Sequence, residues 1–324
     1  MDLFKIFSEI EKIDGEVYER FDTRRRAFKH LAGLGKTITA ATMPALLSTM
    51  FNKAYGQGVA GLTTEMKAVL NLALQLEYLE FHFYNTALSA GVNVVPDADK
   101  PAITIIRDDE KGHIAALQAV LGADAIPDPG REAFDYTAGG QLGGDPFMST
   151  ALFYGTAQSF VDTGVRAYKG GAPALMANKE VLTAALNIHS VEARHSAHVR
   201  MVRRRLTGST LGTTDVAGEV AGGAGNMKPK SWVSLTENDG PKPPLTKPVY
   251  GMGADTNFPA EDNTTQGGLN VQSITTYPAG LTLNDAAKAA AASEAFDEPL
   301  DAGTVKAIAR NFRSVIGVTK GLFV

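Results

Sequence analysis

The pattern Glu-x-x-His occurs twice, as Glu110-Lys111-Gly112-His113 and as Glu192-Ala193-Arg194-His195, and each copy interrupts an apolar stripe at helical spacing. Ile103 and Ile106 precede the first pair; Leu117 and Val120 follow it. Leu182, Leu186 (or Ala185) and His189 lead into the second, and Val199 follows. Residues three apart on a helix share a face, so each copy aims a carboxylate and an imidazole at one point. That face is the one the apolar neighbours turn toward a core. A buried carboxylate without a partner costs on the order of several kcal/mol or gives up its charge. Two such pairs in one core therefore require either a compensating cation or a closed network of ion pairs. One copy alone would be weak, because the pattern also falls by chance on solvated helix faces.

The surroundings read as an all-α four-helix bundle over 62–206. The first helix covers 62–90, opened by Thr63-Thr64-Glu65 and closed at Gly91. The second covers 98–121, with Pro101 in its first turn and Gly122 just past its end. The third is expected over 146–169, with Asp145 as N-cap, Pro146 at the first helical position, and Gly170-Gly171 as its stop. The fourth covers 178–206 and ends in Arg203-Arg204-Arg205, a run that suits the negative end of a helix dipole. The link between the second and third helices, Gly122 to Gly144, is long and rich in Gly, Pro and Asp. A long crossover there distinguishes a ferritin-like bundle from a simple up-and-down one.

A bundle of that kind takes one further carboxylate from each of the other two helices. In the first helix Leu70, Ala73, Glu77, Phe81, Tyr84 and Leu88 fall in line, so Glu77 sits in mid-stripe; Glu80 is near but less central. In the third, Ala151, Tyr154, Gln158, Asp162, Val165 and Tyr168 align, and Asp162 is the acid. The expected ligands are thus Glu77, Glu110, His113, Asp162, Glu192 and His195, with Tyr84, Gln158, Tyr168 and His189 beside them. Tyr84 and Tyr168 also fit as core aromatics, and His189 as a satisfied core histidine. There is no cysteine. Any metal must be held by oxygen and imidazole, which suits iron or manganese, with zinc also compatible.

Glu77 with Tyr84 and the two Glu-x-x-His pairs resembles the ligand pattern of ferritin, bacterioferritin and rubrerythrin. Asp162-Thr163-Gly164-Val165-Arg166-Ala167-Tyr168-Lys169-Gly170 and Val191-Glu192-Ala193-Arg194-His195 resemble more closely the ferritin-like desiccation-related family of bacteria, plants and fungi. The resemblance covers 62–206 and implies the bundle fold, a dinuclear iron or manganese centre bridged by Glu110 and Glu192, and chemistry with Fe(II), dioxygen or peroxide. One departure stands out: di-iron ferritins carry Glu in the third helix, where Val161-Asp162 stands here. A shorter acid there implies an asymmetric centre, or a role in hydrogen-bonding a ligand histidine.

Outside 62–206 the composition changes. Residues 1–22 are charged and helix-compatible. Residues 23–57 run from Arg24-Arg25-Arg26 through a weakly apolar stretch to Ala54-Tyr55-Gly56-Gln57, the order of a twin-arginine-like export signal. Such a segment implies a periplasmic or exported protein, or a membrane anchor if uncleaved; an ordinary amphipathic helix of a cytoplasmic protein is the plain alternative. Residues 207–324 are rich in Gly, Pro, Thr and Asn, including Ala221 to Gly225, with short helices expected at 283–296 and 302–315 in an extension that wraps the bundle. So long an extension argues for a monomer or dimer rather than a cage. The net charge of −4 gives no footprint for nucleic acid. Two functions stay open: a dimetal carboxylate protein, or a metal-poor structural or binding protein in which the same four residues form a buried salt-bridge network. A zinc hydrolase is a weaker third, lacking a separate nucleophile.

Overall fold

The computed structural model describes residues 59–206, 229–273 and 283–324. The charged segment 1–22, the signal-like segment 23–57 and the glycine run 221–225 lie outside the described residues. Within them the chain is mainly helical, with an irregular C-terminal region that carries short helices.

Four long helices form the bundle: α1 (Thr64–Ala87), α2 (Lys100–Leu121), α3 (Thr150–Leu175) and α4 (Lys179–Leu206). The Thr63 hydroxyl caps α1 by accepting from the Met66 amide, and Gly122 takes a positive φ where α2 ends. α1 packs along α2, and α3 along α4; contacts between α1 and α3 and between α2 and α4 complete the bundle. The crossover from α2 to α3 contains two short 3-10 turns, Gly122–Asp124 and Arg131–Ala133. It is pinned by aromatic packing: Tyr136 and Phe147 lie against Phe83 of α1, and the Tyr136 hydroxyl donates to the Leu79 carbonyl at 2.7 Å.

α3 differs from the expected 146–169 at both ends. Asp145-Pro146 forms a turn in which the Asp145 carboxylate accepts from the Phe147 amide. The helix is capped instead by Ser149, whose hydroxyl accepts from the Leu152 amide. It then runs through Gly170, Gly171 and Pro173 to Leu175. The glycines serve close approach rather than termination. A Cβ at Gly170 would fall 2.0 Å from the Leu300 carbonyl oxygen, and one at Gly171 would meet Val69 of α1 at 2.7 Å.

α3 is buried on nearly every side because the C-terminal extension covers the face that α1 and α4 do not. That extension includes α5 (Lys247–Tyr250), α6 (Asp285–Glu294), α7 (Ala302–Arg310) and α8 (Val315–Thr319). α6 and α7 correspond to the helices expected at 283–296 and 302–315; α5 and α8, four and five residues long, left no periodic signal. A minimal antiparallel ribbon, β1 (Thr265–Gln266) with β2 (Leu269–Asn270), turns through Gly267-Gly268, both at positive φ. The fully buried Arg166 of α3 organises this layer. Its guanidinium donates to the carbonyls of Val249, Gly251, Pro259, Glu298 and Pro299 and pairs with the Glu261 carboxylate at 2.9 Å. A guanidinium has five N–H donors in a fixed fork, so loops without regular structure are held in place by one side chain. No described helix is long and apolar enough to cross a membrane.

Gly170 gives a test of this packing. Gly→Ala in a helix interior ordinarily stabilises by about 1 kcal/mol. Gly170→Ala should instead destabilise, by about 1–3 kcal/mol, since the new methyl overlaps the Leu300 carbonyl. Thermal unfolding followed by circular dichroism reads the sign directly.

Candidate metal centre

Glu77 and Glu80 on α1, Glu110 and His113 on α2, and Glu192 and His195 on α4 are all buried in the middle of the bundle. One nitrogen, His113 Nδ1, lies 3.1 Å from Glu77 Oε2, 3.0 Å from Glu110 Oε2 and 3.2 Å from Glu192 Oε1. A single ring N–H has one proton to donate, so three carboxylate oxygens around one nitrogen are more acceptors than it can serve. Ligand atoms of Glu77, Glu110, His113 and Glu192 all fall within 4.8 Å of one another.

The second histidine repeats the arrangement on the other side. His195 Nδ1 lies 3.1 Å from Glu110 Oε1 and 3.8 Å from Glu192 Oε2. Glu110 and Glu192 therefore each turn one oxygen toward His113 and the other toward His195, which is the disposition of bridging carboxylates. The outer nitrogen of His195, Nε2, meets Asp109 Oδ2 at 3.1 Å. That contact leaves Nδ1 pointing inward, the usual way a carboxylate orients a metal-binding imidazole.

The cluster concentrates acids in a buried place. Glu80 Oε2, Glu110 Oε1, both oxygens of Glu192 and Nδ1 of His195 are buried without a hydrogen-bond partner among the described residues. Burial pushes the Glu77 carboxyl up to about 8 against the opposing pull of His113. Burial and the charges of Glu192 and Glu110 push Glu80 well above the usual carboxylate range. Burial works against protonation of His113 and His195, but the surrounding carboxylates outweigh it and hold both imidazoles well above their ordinary range. Glu192 is driven up by burial too, yet its contacts with the two histidines bring it down to about 2. Four carboxylates and two imidazoles offer oxygen and nitrogen donors only, a set that fits iron, manganese or zinc.

Residues 65–205 match the ferritin-like domain family. No curated protein and no solved structure matches the chain. The matched segment coincides with the four helices and contains all six residues of the cluster.

The expected site residues divide. Glu77, Glu110, His113, Glu192 and His195 come together. Tyr168 adjoins them, its hydroxyl donating to Glu77 Oε1 at 2.5 Å. Tyr84 is fully buried, its phenol pushed up by burial and then by the Glu80 carboxylate, and its hydroxyl has no partner among the described residues.

Asp162 does not join the cluster. Its carboxylate accepts from Arg200 Nη2 at 2.5 Å, Ser196 Oγ at 2.6 Å and the Tyr250 hydroxyl at 2.7 Å. Gln158 sits in the same network: its amide donates to Tyr250, and its carbonyl accepts from Arg203. His189 is only part-buried at the rim of α4, where Ile188 takes the core position. Besides Tyr168, α3 turns Gly164 toward the centre, where a Cβ would lie 3.3 Å from Glu192 Oε2 and 3.5 Å from Glu80 Oε1.

Sequence reasoning set Glu80 aside as less central and missed Asp109. Glu80 is three residues after Glu77 and four before Tyr84, hence on their face, but the apolar Phe81 competes for the same stripe. Asp109 adjoins Glu110 and reads as an ordinary surface acid.

Asp162→Asn separates the two networks. It should cost about 3 kcal/mol of stability, since it removes the acid from a buried pair with Arg200. It should leave bound metal per chain unchanged, measured by denaturant unfolding and elemental analysis of the same sample.

Proposed function

We propose that the ferritin-like domain holds a dinuclear iron or manganese centre and serves in oxidation of Fe(II) or in handling dioxygen or peroxide. The observation that carries this reading is the double-faced presentation of Glu110 and Glu192, one oxygen of each toward His113 and the other toward His195. Bound there, redox-active metal supplies one-electron chemistry toward oxygen species, with Fe(II) as substrate. The protein's own residues supply the rest. The carboxylates hold positive charge in a dry interior and favour the more oxidised metal. Asp109 fixes the tautomer and direction of His195. Tyr168 holds Glu77 from the side of α3. A mainly apolar cavity of about 320 Å³, with Leu72, Leu76, Ala167, Phe258 and Val305 in its wall, also has Tyr168 in its lining.

The twin-arginine-like segment 23–57 supports the further reading that the chain is exported folded, with its metal already loaded, to act in stress or desiccation as a monomer or dimer in the periplasm. The competing reading keeps the cluster as a metal-free salt-bridge network.

Metal analysis separates the two. Protein purified after growth with added iron and manganese should carry close to two equivalents of metal, and Glu110→Gln with Glu192→Gln should carry none while remaining folded. A folded wild-type chain without stoichiometric metal would falsify the dinuclear reading. Asp109→Asn should retain the fold and weaken metal binding about 10- to 100-fold, read by competition with a chelator of known affinity.

A further inference from the structure

We infer that Glu80 replaces the third-helix carboxylate of a ferritin-like centre, so that the second metal position is closed by Glu80 and His195 together with the outer oxygens of Glu110 and Glu192. This rests on the dinuclear reading above and adds to it the residue that completes the second position and the helix it comes from.

Three observations converge. The first position needs nothing from Glu80, because Glu77, Glu110, His113 and Glu192 already bring donor atoms within 4.8 Å of one another. The second has Glu110 Oε1 and Glu192 Oε2 facing His195 Nδ1 and lacks a terminal carboxylate. Glu80 is 5% exposed and its Oε2 has no hydrogen-bond partner among the described residues. A carboxyl kept there without a cation is a cost with no packing return, since an apolar side chain of that size would fill the same volume.

Gly164 supplies the complementary half of the argument. On α3 it faces Glu192 Oε2 and Glu80 Oε1 so closely that a Cβ would touch both, at 3.3 and 3.5 Å. A carboxylate-bearing side chain rooted at 164 would have to occupy the space these two oxygens hold. The glycine lets Glu80 reach the side of the centre next to α3 from α1. The acid that α3 does carry, Asp162, is engaged by Arg200, Ser196 and Tyr250.

The arrangement implies two unequal sites: a tight one with its donors assembled, and a weaker one whose donors close on loading. The test is a Co(II) titration of the metal-stripped full-length protein, read by calorimetry and by bound cobalt per chain. Wild type should take up two equivalents, the second more weakly. Glu80→Gln should keep the first equivalent at wild-type affinity and weaken the second by more than about tenfold. Glu80→Asp, which withdraws the charge by one methylene, should weaken the second less, and it carries the test if the Gln variant does not fold. A folded Glu80→Gln chain that binds both equivalents as wild type does overturns this assignment and leaves the dinuclear reading standing. Loss of both equivalents also overturns it, by placing Glu80 at the first position. A wild-type chain that binds one equivalent or none overturns the dinuclear reading and this assignment together.

Discussion

The constraint on which the rest depends is an excess of acid in a dry place. Four carboxylates and two imidazoles occupy the centre of the bundle, and even with both rings protonated the cluster is two positive charges short of neutral. Burial lifts the Glu77 and Glu80 carboxyls, while the carboxylates lift both histidines. Such a cluster is unstable unless the walls are rigid. The long helices, the Thr63 and Ser149 caps of α1 and α3, and the aromatic packing of Phe83 against Phe153 and Phe160 supply that rigidity.

α3 is where the bundle and the C-terminal extension meet, and it is divided lengthwise. Gly164 and Tyr168 face the acidic centre. Gln158, Asp162 and Arg166 face outward into a second buried polar layer with Arg200, Arg203, Tyr250 and Glu261. That layer is fully paired, in contrast to the centre. Arg166 satisfies five carbonyls, and Arg200 bridges Asp162 and Glu237, at 2.9 Å from the latter. The extension thus covers this helix, and it does so mainly through charge-assisted hydrogen bonds to irregular backbone.

The sequence made the fold and most of the cluster legible for one reason: a polar pair breaking an apolar helical stripe is hard to explain on a surface. α1, α2 and α4 each show such a break, and five residues read from them converge. The limits lay in α3. Periodicity assumes one buried face, and residues 153–166 of α3 are buried all round, so the line through Gln158 and Asp162 is a true stripe that leads to the other interior. Glu80 was obscured by the same geometry, because positions three and four after Glu77 both neighbour it and the apolar one was preferred. The ends of α3 were misplaced because Gly170, Gly171 and Pro173, ordinary stop signals, here answer to close packing against Leu300 and Val69. The short α5 and α8 and the ribbon at 265–270 are too brief to show a period.

Asp162 is therefore better understood as a residue with another task than as a shortened ligand. To reach the centre it would have to leave Arg200, Ser196 and Tyr250. Its departure would leave the buried Arg200 with Glu237 as its acid partner and break a buried pair, at a cost on the order of a few kcal/mol, while Glu80 already presents a carboxyl to the side of the centre next to α3. The same reasoning explains why α3 can carry glycine where it faces the acidic centre. Once α1 supplies two carboxylates, three helices suffice to surround the centre, and the fourth is released to anchor the extension. The asymmetry that the sequence showed as Asp where Glu was expected is a redistribution of acids between helices, with the total at the centre preserved.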